Sequence, residues 1–159
     1  MKLYIMRHGQ AEPMSDPWPD SERRLTDEGI TEVRHASEWL KRQCEVVEQC
    51  YTSPYQRARE TQKVMNERLN CQQVKVLDCL TPEKRVHETV TELAAEIAVS
   101  GVQSALVVTH MPLVSYLVAE IDKTQQPPIF STAAIAEIDF DSATGTGKLQ
   151  QLMQPEHCE

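Results

Sequence analysis

The residues best suited to chemistry stand in three short segments: Arg7-His8-Gly9, Thr52-Ser53-Pro54 with Arg57 and Arg59 just behind it, and Thr109-His110. A neutral imidazole is a competent nucleophile for phosphorus near physiological pH, because its pKa is near 6.5 and cationic neighbours hold it neutral. His8 could attack in this way. A phosphoryl group in transfer spreads negative charge over its equatorial oxygens, and guanidinium forks and helix N-terminal amides are shaped to stabilise that charge. Arg7, Arg57 and a protonated His110 would supply it. Gly9 would permit a close approach that a side chain would block.

Each piece has a plainer explanation. Arg-His-Gly occurs by chance in many chains, a histidine after a buried strand is usually a hydrogen-bonded rim residue, and an arginine on a helix is usually solvated. Their joint placement shifts the balance, because ligands of open α/β sheets bind at the carboxyl ends of strands and all three segments stand at such ends. His35, His87 and His157 lack that placement and read as surface residues. A metal held by His8 and His110 is disfavoured: no carboxylate or thiolate cluster accompanies them at ligand spacing, and the arginines would repel a cation. No metal and no cofactor are expected.

The elements that must position these residues alternate between strand and helix. Lys2 to Met6 reads as a buried strand, and Pro13, Pro17 and Pro19 exclude a regular helix after it. Thr26 suits an N-cap ahead of Asp27 and Glu28, with Ile30, Val33, Ser37 and Leu40 at helical spacing. Val46 to Tyr51 forms a second strand, and Thr52-Ser53-Pro54 caps and opens a helix carrying Ala58, Thr61, Met65 and Leu69 on one face. Val74 to Leu77 is a short third strand. Val86, Val90, Leu93 and Ile97 mark a helix closed by Ser100-Gly101.

Ser104 to Thr109 is the apolar, β-branched run of a central strand with both faces covered. Pro112 opens a helix with Val114, Leu117, Val118 and Ile121 inward. Ala134 to Phe140 and Lys148 to Met153 pair as a hairpin across the Gly145 and Gly147 turn, and Gln154 to Glu159 should fray. Repeated strand-helix-strand units imply an α/β three-layer sandwich, with a mostly parallel central sheet and helices on both faces.

Composition narrows the function classes. The chain has 159 residues, 40% hydrophobic and 25% charged, which is one globular domain spanning 1–159 rather than a disordered or two-domain chain. Its net charge of -8 gives a field that repels phosphate backbones and anionic lipid, so nucleic-acid and membrane partners are disfavoured. The five cysteines, Cys44, Cys50, Cys71, Cys79 and Cys158, are odd in number and lack a C-x-x-C pair, as free thiols in a reducing compartment would be. The apolar opening stops at Arg7, too short for a signal-peptide core, and a cytoplasmic location is expected.

Arg7-His8-Gly9, Leu25-Thr26-x-x-Gly29, Ser53-Pro54-x-x-Arg57-Ala58-x-x-Thr61 and His110 together resemble the histidine phosphatase superfamily, also known from phosphoglycerate mutases. Within it, Thr109-His110-Met111-Pro112-Leu113-Val114-x-Tyr116-Leu117-Val118-Ala119-Glu120 and Pro127-Pro128-x-Phe130-x-Thr132-x-Ala134-Ile135-Ala136 are similar to the phosphohistidine phosphatases. The resemblance implies a phosphoglycerate mutase-like fold in which His8 becomes phosphorylated while Arg7, Gly9, Arg57 and His110 bind the phosphoryl group. Arg23, a further candidate to bind the phosphoryl group, stands where the pattern has an arginine before Pro-Leu-Thr, with Arg24 in place of that proline. The connections from Leu77 to Val86 and from Ile121 to Thr132 are too short for a large lid insertion, so an open groove is expected.

Family members that cleave phosphate esters use a Glu or Asp to protonate the departing alkoxide. Glu83 lies in the corresponding region, although a capping carboxylate for the third helix is the plainer reading. Phosphohistidine hardly needs such an acid, because its leaving group is a neutral imidazole whose conjugate acid has a pKa near 6.5. The expected function is therefore a metal-independent phosphatase acting on a phosphorylated histidine-containing phosphotransfer protein of two-component signalling. A small-metabolite phosphomonoesterase of the same superfamily and a non-catalytic phosphohistidine-binding module are the alternatives. Intact His8 and Arg57 count against the second.

Overall fold

Four parallel strands and an antiparallel hairpin form one six-stranded sheet in the order β3-β2-β4-β1-β5-β6. The strands are β1 (Lys2–Arg7), β2 (Gln49–Thr52), β3 (Val74–Val76), β4 (Ser104–Thr109), β5 (Ile135–Asp141) and β6 (Thr146–Met153). Between them run α1 (Asp27–Gln43), α2 (Gln56–Leu69), α3 (Val86–Ser100) and α4 (Leu113–Ile121), with 3-10 turns at Asp20–Glu22 and Asp78–Leu80. The computed structural model describes residues 1–15 and 17–155.

The alternation of side chains along the strands builds two cores. Leu3, Ile5, Ala105, Val107, Ala136 and Ile138 face α3 and α4, packing with Leu93, Ile97, Leu117 and Val118. Tyr4, Met6, Leu106, Val108 and Ile135 face α1 and α2, packing with Val33, Leu40, Ala58 and Met65. Every residue of β4 is buried, which explains the apolar run Ala105 to Val108 at its centre: both faces of a central strand are covered by helices. This is the expected three-layer α/β arrangement, with no lid insertion.

Two local signals act as the sequence indicates. The Thr26 hydroxyl accepts from the Gly29 N–H at 3.0 Å, starting α1. Gly101, with φ 68°, closes α3 in the left-handed conformation that glycine adopts without cost.

Two element starts and the order of the C-terminal segment differ from expectation. β2 begins at Gln49 rather than Val46, because the Ser104 hydroxyl donates to the Val46 carbonyl at 2.8 Å and accepts from the Glu48 N–H at 3.0 Å, replacing ladder bonds there. α2 begins at Gln56 with Tyr55 as N-cap, so Thr52-Ser53-Pro54 precede the helix instead of opening it. Gln154 is tied down, accepting from the Ser131 N–H at 2.9 Å and donating to the Ile129 carbonyl at 2.8 Å.

Cys44, Cys50, Cys71 and Cys79 are free thiols, and among the described residues no helix is long and apolar enough to cross a membrane. His157 and Cys158 lie outside the described residues.

Candidate active site

Strand neighbours set the site. β4 pairs with β1 on one side, Arg7 opposite Thr109, and with β2 on the other, Thr52 opposite Val108. The chain therefore leaves three adjacent strands at nearly one level, and the next residues are His8, His110 and Ser53. The ladder runs one step beyond the strands: the His8 N–H donates to the Thr109 carbonyl and the Ser53 N–H to the Val108 carbonyl, both at 3.1 Å.

His8 is held in one ring orientation by a closed circuit of hydrogen bonds. Its Nδ1 lies 2.7 Å from the Gly9 carbonyl, an acceptor only, so Nδ1 carries the proton and Nε2 carries the lone pair. The Gly9 N–H donates to the Thr61 hydroxyl at 3.1 Å, and that hydroxyl donates to the Arg57 carbonyl at 2.8 Å. The Arg57 Nε–H closes the circuit by donating to His8 Nε2 at 3.2 Å. Thr61, one turn beyond Arg57 on α2, thus fixes both the nucleophile's loop and the arginine that faces it.

Gly9 stands where a side chain would not fit. A Cβ there would stand 2.7 Å from Val33 Cγ2 and 2.9 Å from the Gly29 carbonyl, so the close approach is to α1. Its N–H is engaged by Thr61 and its carbonyl by His8. Gly9 supports the ring rather than offering a donor to substrate.

His110 packs edge-on against His8 and against Tyr55, with ring centroids 5.1 Å apart in each case, and its Nε2 lies 2.7 Å from the Ser53 hydroxyl. Burial pushes the His110 pKa down to about 2, with His8, Arg57, Arg23 and Arg7 adding repulsion. A protonated His110 is therefore not the resting state. Burial also lowers His8 to about 4 against the support of the Gly9 carbonyl, helped by Arg57, Arg7 and Arg23. Both rings are neutral at physiological pH, which leaves His8 Nε2 unprotonated, its lone pair held only by the Arg57 Nε–H.

The three arginines are placed differently. Arg7 donates from Nη1 to the Phe130 carbonyl at 2.8 Å, and burial depresses its pKa while nearby Glu32 opposes the shift. Arg7 Nε and His110 Nδ1 are buried polar atoms with no hydrogen-bond partner among the described residues, as in a site shaped for a polar ligand. Arg57, 4% exposed, donates from Nη1 to the Asp20 carbonyl at 2.7 Å and from Nη2 to Asp20 Oδ2 at 3.1 Å. Arg23 pairs with Asp20 Oδ1 at 2.8 Å and donates to the Glu12 carbonyl at 2.8 Å, so it reaches the site through Asp20.

Arg24 fits where the resembling pattern has proline. Its N–H donates to Glu12 Oε1 at 3.1 Å, a bond that proline could not make, while Arg23 keeps the extended backbone, φ -61° and ψ 135°, that precedes proline.

Glu83 is exposed on the turn before α3 and neither caps that helix, whose N-cap is Arg85, nor bonds to His8, Arg57 or His110. His35, His87 and Arg59 are exposed. Among the described residues no group of three or more His, Cys, Asp or Glu side chains is arranged to hold a metal ion. Sequence reasoning missed Ser53 as His110's partner and Asp20 as the group on Arg57. Ser53 was legible as the residue just past a strand end. Asp20 carried no such signal.

A cluster with a lone-pair nitrogen facing guanidinium and neutral imidazole can accept a phosphoryl group. Comparison with known proteins agrees. A profile of the histidine phosphatase superfamily, branch 1, matches residues 3–82. Phosphohistidine phosphatase SixA of Escherichia coli (strain K12) is 40% identical over 156 residues, covering 98% of this chain and 94% of that protein. The SixA homolog of Haemophilus influenzae is 32% identical over 149 residues, covering 89% of each. The solved structure of the protein histidine phosphatase SixA complexed with tungstate superposes with a TM-score of 0.90 at 39% identity, over 98% of this chain and 97% of that one. The chain therefore belongs to the histidine phosphatase superfamily.

Proposed function

We propose that this protein is a phosphohistidine phosphatase that removes the phosphoryl group from histidine on a phosphotransfer protein, through a phospho-His8 intermediate and without a metal. The observation that carries this reading is the circuit His8–Gly9–Thr61–Arg57, which points an unprotonated Nε2 at a buried guanidinium. The similarity to the SixA proteins supports the substrate class.

In the first step His8 Nε2 forms a bond to phosphorus as the substrate's P–N bond breaks. The bonding pair returns to the substrate ring, which already carries a proton on its other nitrogen and leaves as neutral imidazole. No general acid is required, in keeping with the exposed position of Glu83. In the second step water attacks phosphorus, the pair of the His8–P bond returns to Nε2, and the protons of the water leave on the phosphate. Arg57 and Arg7 stabilise charge on the equatorial oxygens in both steps, and His110 lies beside the reacting ring.

The substrate reading extends to a cytoplasmic two-component partner. The short connections at 77–86 and 121–132 leave room for a folded domain to approach. A phosphorylated photransfer domain should be hydrolysed with kcat/KM at least about a hundredfold above free phosphohistidine, because surface contacts made away from the reacting atoms contribute in the transition state. Equal values for the two substrates would remove the protein substrate, and faster turnover of p-nitrophenyl phosphate would move the reading to a phosphomonoesterase.

A further inference from the structure

The Nε and Nη2 donors of Arg57 lie side by side along one edge of the guanidinium, the edge that grips two oxygens of a carboxylate or phosphate. In this structure Nε faces His8 Nε2 at 3.2 Å and Nη2 faces Asp20 Oδ2 at 3.1 Å. A phosphoryl group bonded to His8 Nε2 projects its oxygens toward that same edge. Asp20 thus puts a carboxylate oxygen where one of the phosphoryl oxygens must go.

We propose that Asp20 is a specificity residue, a tethered anion that occupies the phosphoryl position on Arg57 and must be displaced by the substrate. The inference rests on His8 being the phosphoryl acceptor. Two carboxylate–guanidinium contacts hold Asp20 in place, to Arg57 and to Arg23, and a third bond joins its backbone carbonyl to Arg57 Nη1. The carboxylate is 39% exposed, on a short 3-10 turn, so it can swing to solvent without disturbing either core. A dianionic phosphoryl group and the Asp20 carboxylate cannot share one guanidinium edge, because like charges at contact distance repel.

The consequence is discrimination among anions. His8 is only 7% exposed, and the guanidinium edge that faces its Nε2 also holds the Asp20 carboxylate. Inorganic phosphate and small phosphate compounds must evict Asp20 by their charge alone, whereas phosphohistidine on a folded domain adds surface contacts. The product then leaves readily, because Asp20 returns to Arg57 as phosphate departs.

The test is calorimetric binding of inorganic phosphate to the wild-type protein and to Asp20→Asn and Asp20→Ser, each checked for an unchanged thermal transition. Removing the carboxylate should tighten phosphate binding at least tenfold in both variants. A smaller gain, or weaker binding, in either folded variant would overturn the inference and make Asp20 a support for Arg57 instead. Turnover of phosphohistidine by the wild type is measured separately. Its absence would sink the proposed function, whereas unimproved phosphate binding with turnover intact sinks only this inference.

Discussion

Arg57 Nε–H points at His8 Nε2 from 3.2 Å while the Nδ1–H of the same ring is bound to the Gly9 carbonyl at 2.7 Å. The donor that rests on the nucleophile's lone pair is therefore already beside the atom that will carry phosphorus. When Nε2 bonds to phosphorus, that N–H faces a phosphoryl oxygen with little movement of Arg57 itself, once Asp20 has left the neighbouring Nη2.

Arg57→Ala should accordingly lower kcat/KM for phosphohistidine by about a hundred- to a thousandfold, the scale seen when one oxyanion donor is removed. Arg57→Lys should recover only part of the loss, because an ammonium lacks the paired donors. A loss of tenfold or less for Arg57→Ala, in steady-state kinetics, would make it an ordinary buried charge.

Ser53 gives a second measurement. Its hydroxyl accepts from the Tyr55 N–H at 3.2 Å and faces His110 Nε2 at 2.7 Å, so Ser53→Ala leaves a buried imidazole nitrogen without its partner. Leaving such a group unpaired costs about 1–3 kcal/mol. The His110 ring, no longer held at Nε2, also loses its fixed orientation beside His8, so kcat should fall at least about fivefold, with Ser53→Thr restoring part of it. A kcat within twofold of wild type would detach Ser53 from the site.

The two buried rings also set a pH dependence of stability. His8 is lowered to about 4 and His110 to about 2, both below the unfolded value near 6.5. As pH falls below about 6.5 the unfolded chain binds these protons first, so stability declines from about pH 6.5 toward 4, by up to about 1.4 kcal/mol per pH unit for each ring. Urea unfolding at pH 7 and pH 5 should show a smaller pH-dependent loss for His8→Ala than for wild type. An equal loss in both would mean that His8 is not buried neutral.

The parts of this molecule that were legible in its sequence are those fixed by local pattern. The apolar run Ala105 to Val108 within β4, the Thr26 cap and the Gly101 stop are each written in consecutive or closely spaced residues. His8, Arg57 and His110 were legible because they follow strand ends or sit just behind one. Asp20 was not, since its contact with Arg57 spans 37 residues and depends on how the proline-rich segment folds back over α2. The start of β2 was misplaced for a similar reason: Ser104, 58 residues away, takes the Val46 carbonyl. The packing of Gly9 against Val33 and Gly29 was not legible either, because it exists only once α1 is docked.

The leaving-group argument predicts that Glu83→Gln changes phosphohistidine turnover by less than about twofold, since a neutral imidazole departs without an acid. Alkyl phosphate esters, whose alkoxide does need one, should be hydrolysed far more slowly than phosphoramidates. A large loss in Glu83→Gln on phosphohistidine would assign it a proton-transfer role despite its exposed position.

The most direct measurement is a trap of the covalent intermediate. Brief incubation with a phosphohistidine substrate labelled in the phosphoryl group, quenched in alkali and mapped by peptide, should place acid-labile, alkali-stable label on the peptide containing His8. In His8→Ala both label and turnover should vanish. Label on another peptide, or full activity in His8→Ala, would contradict His8 as the nucleophile.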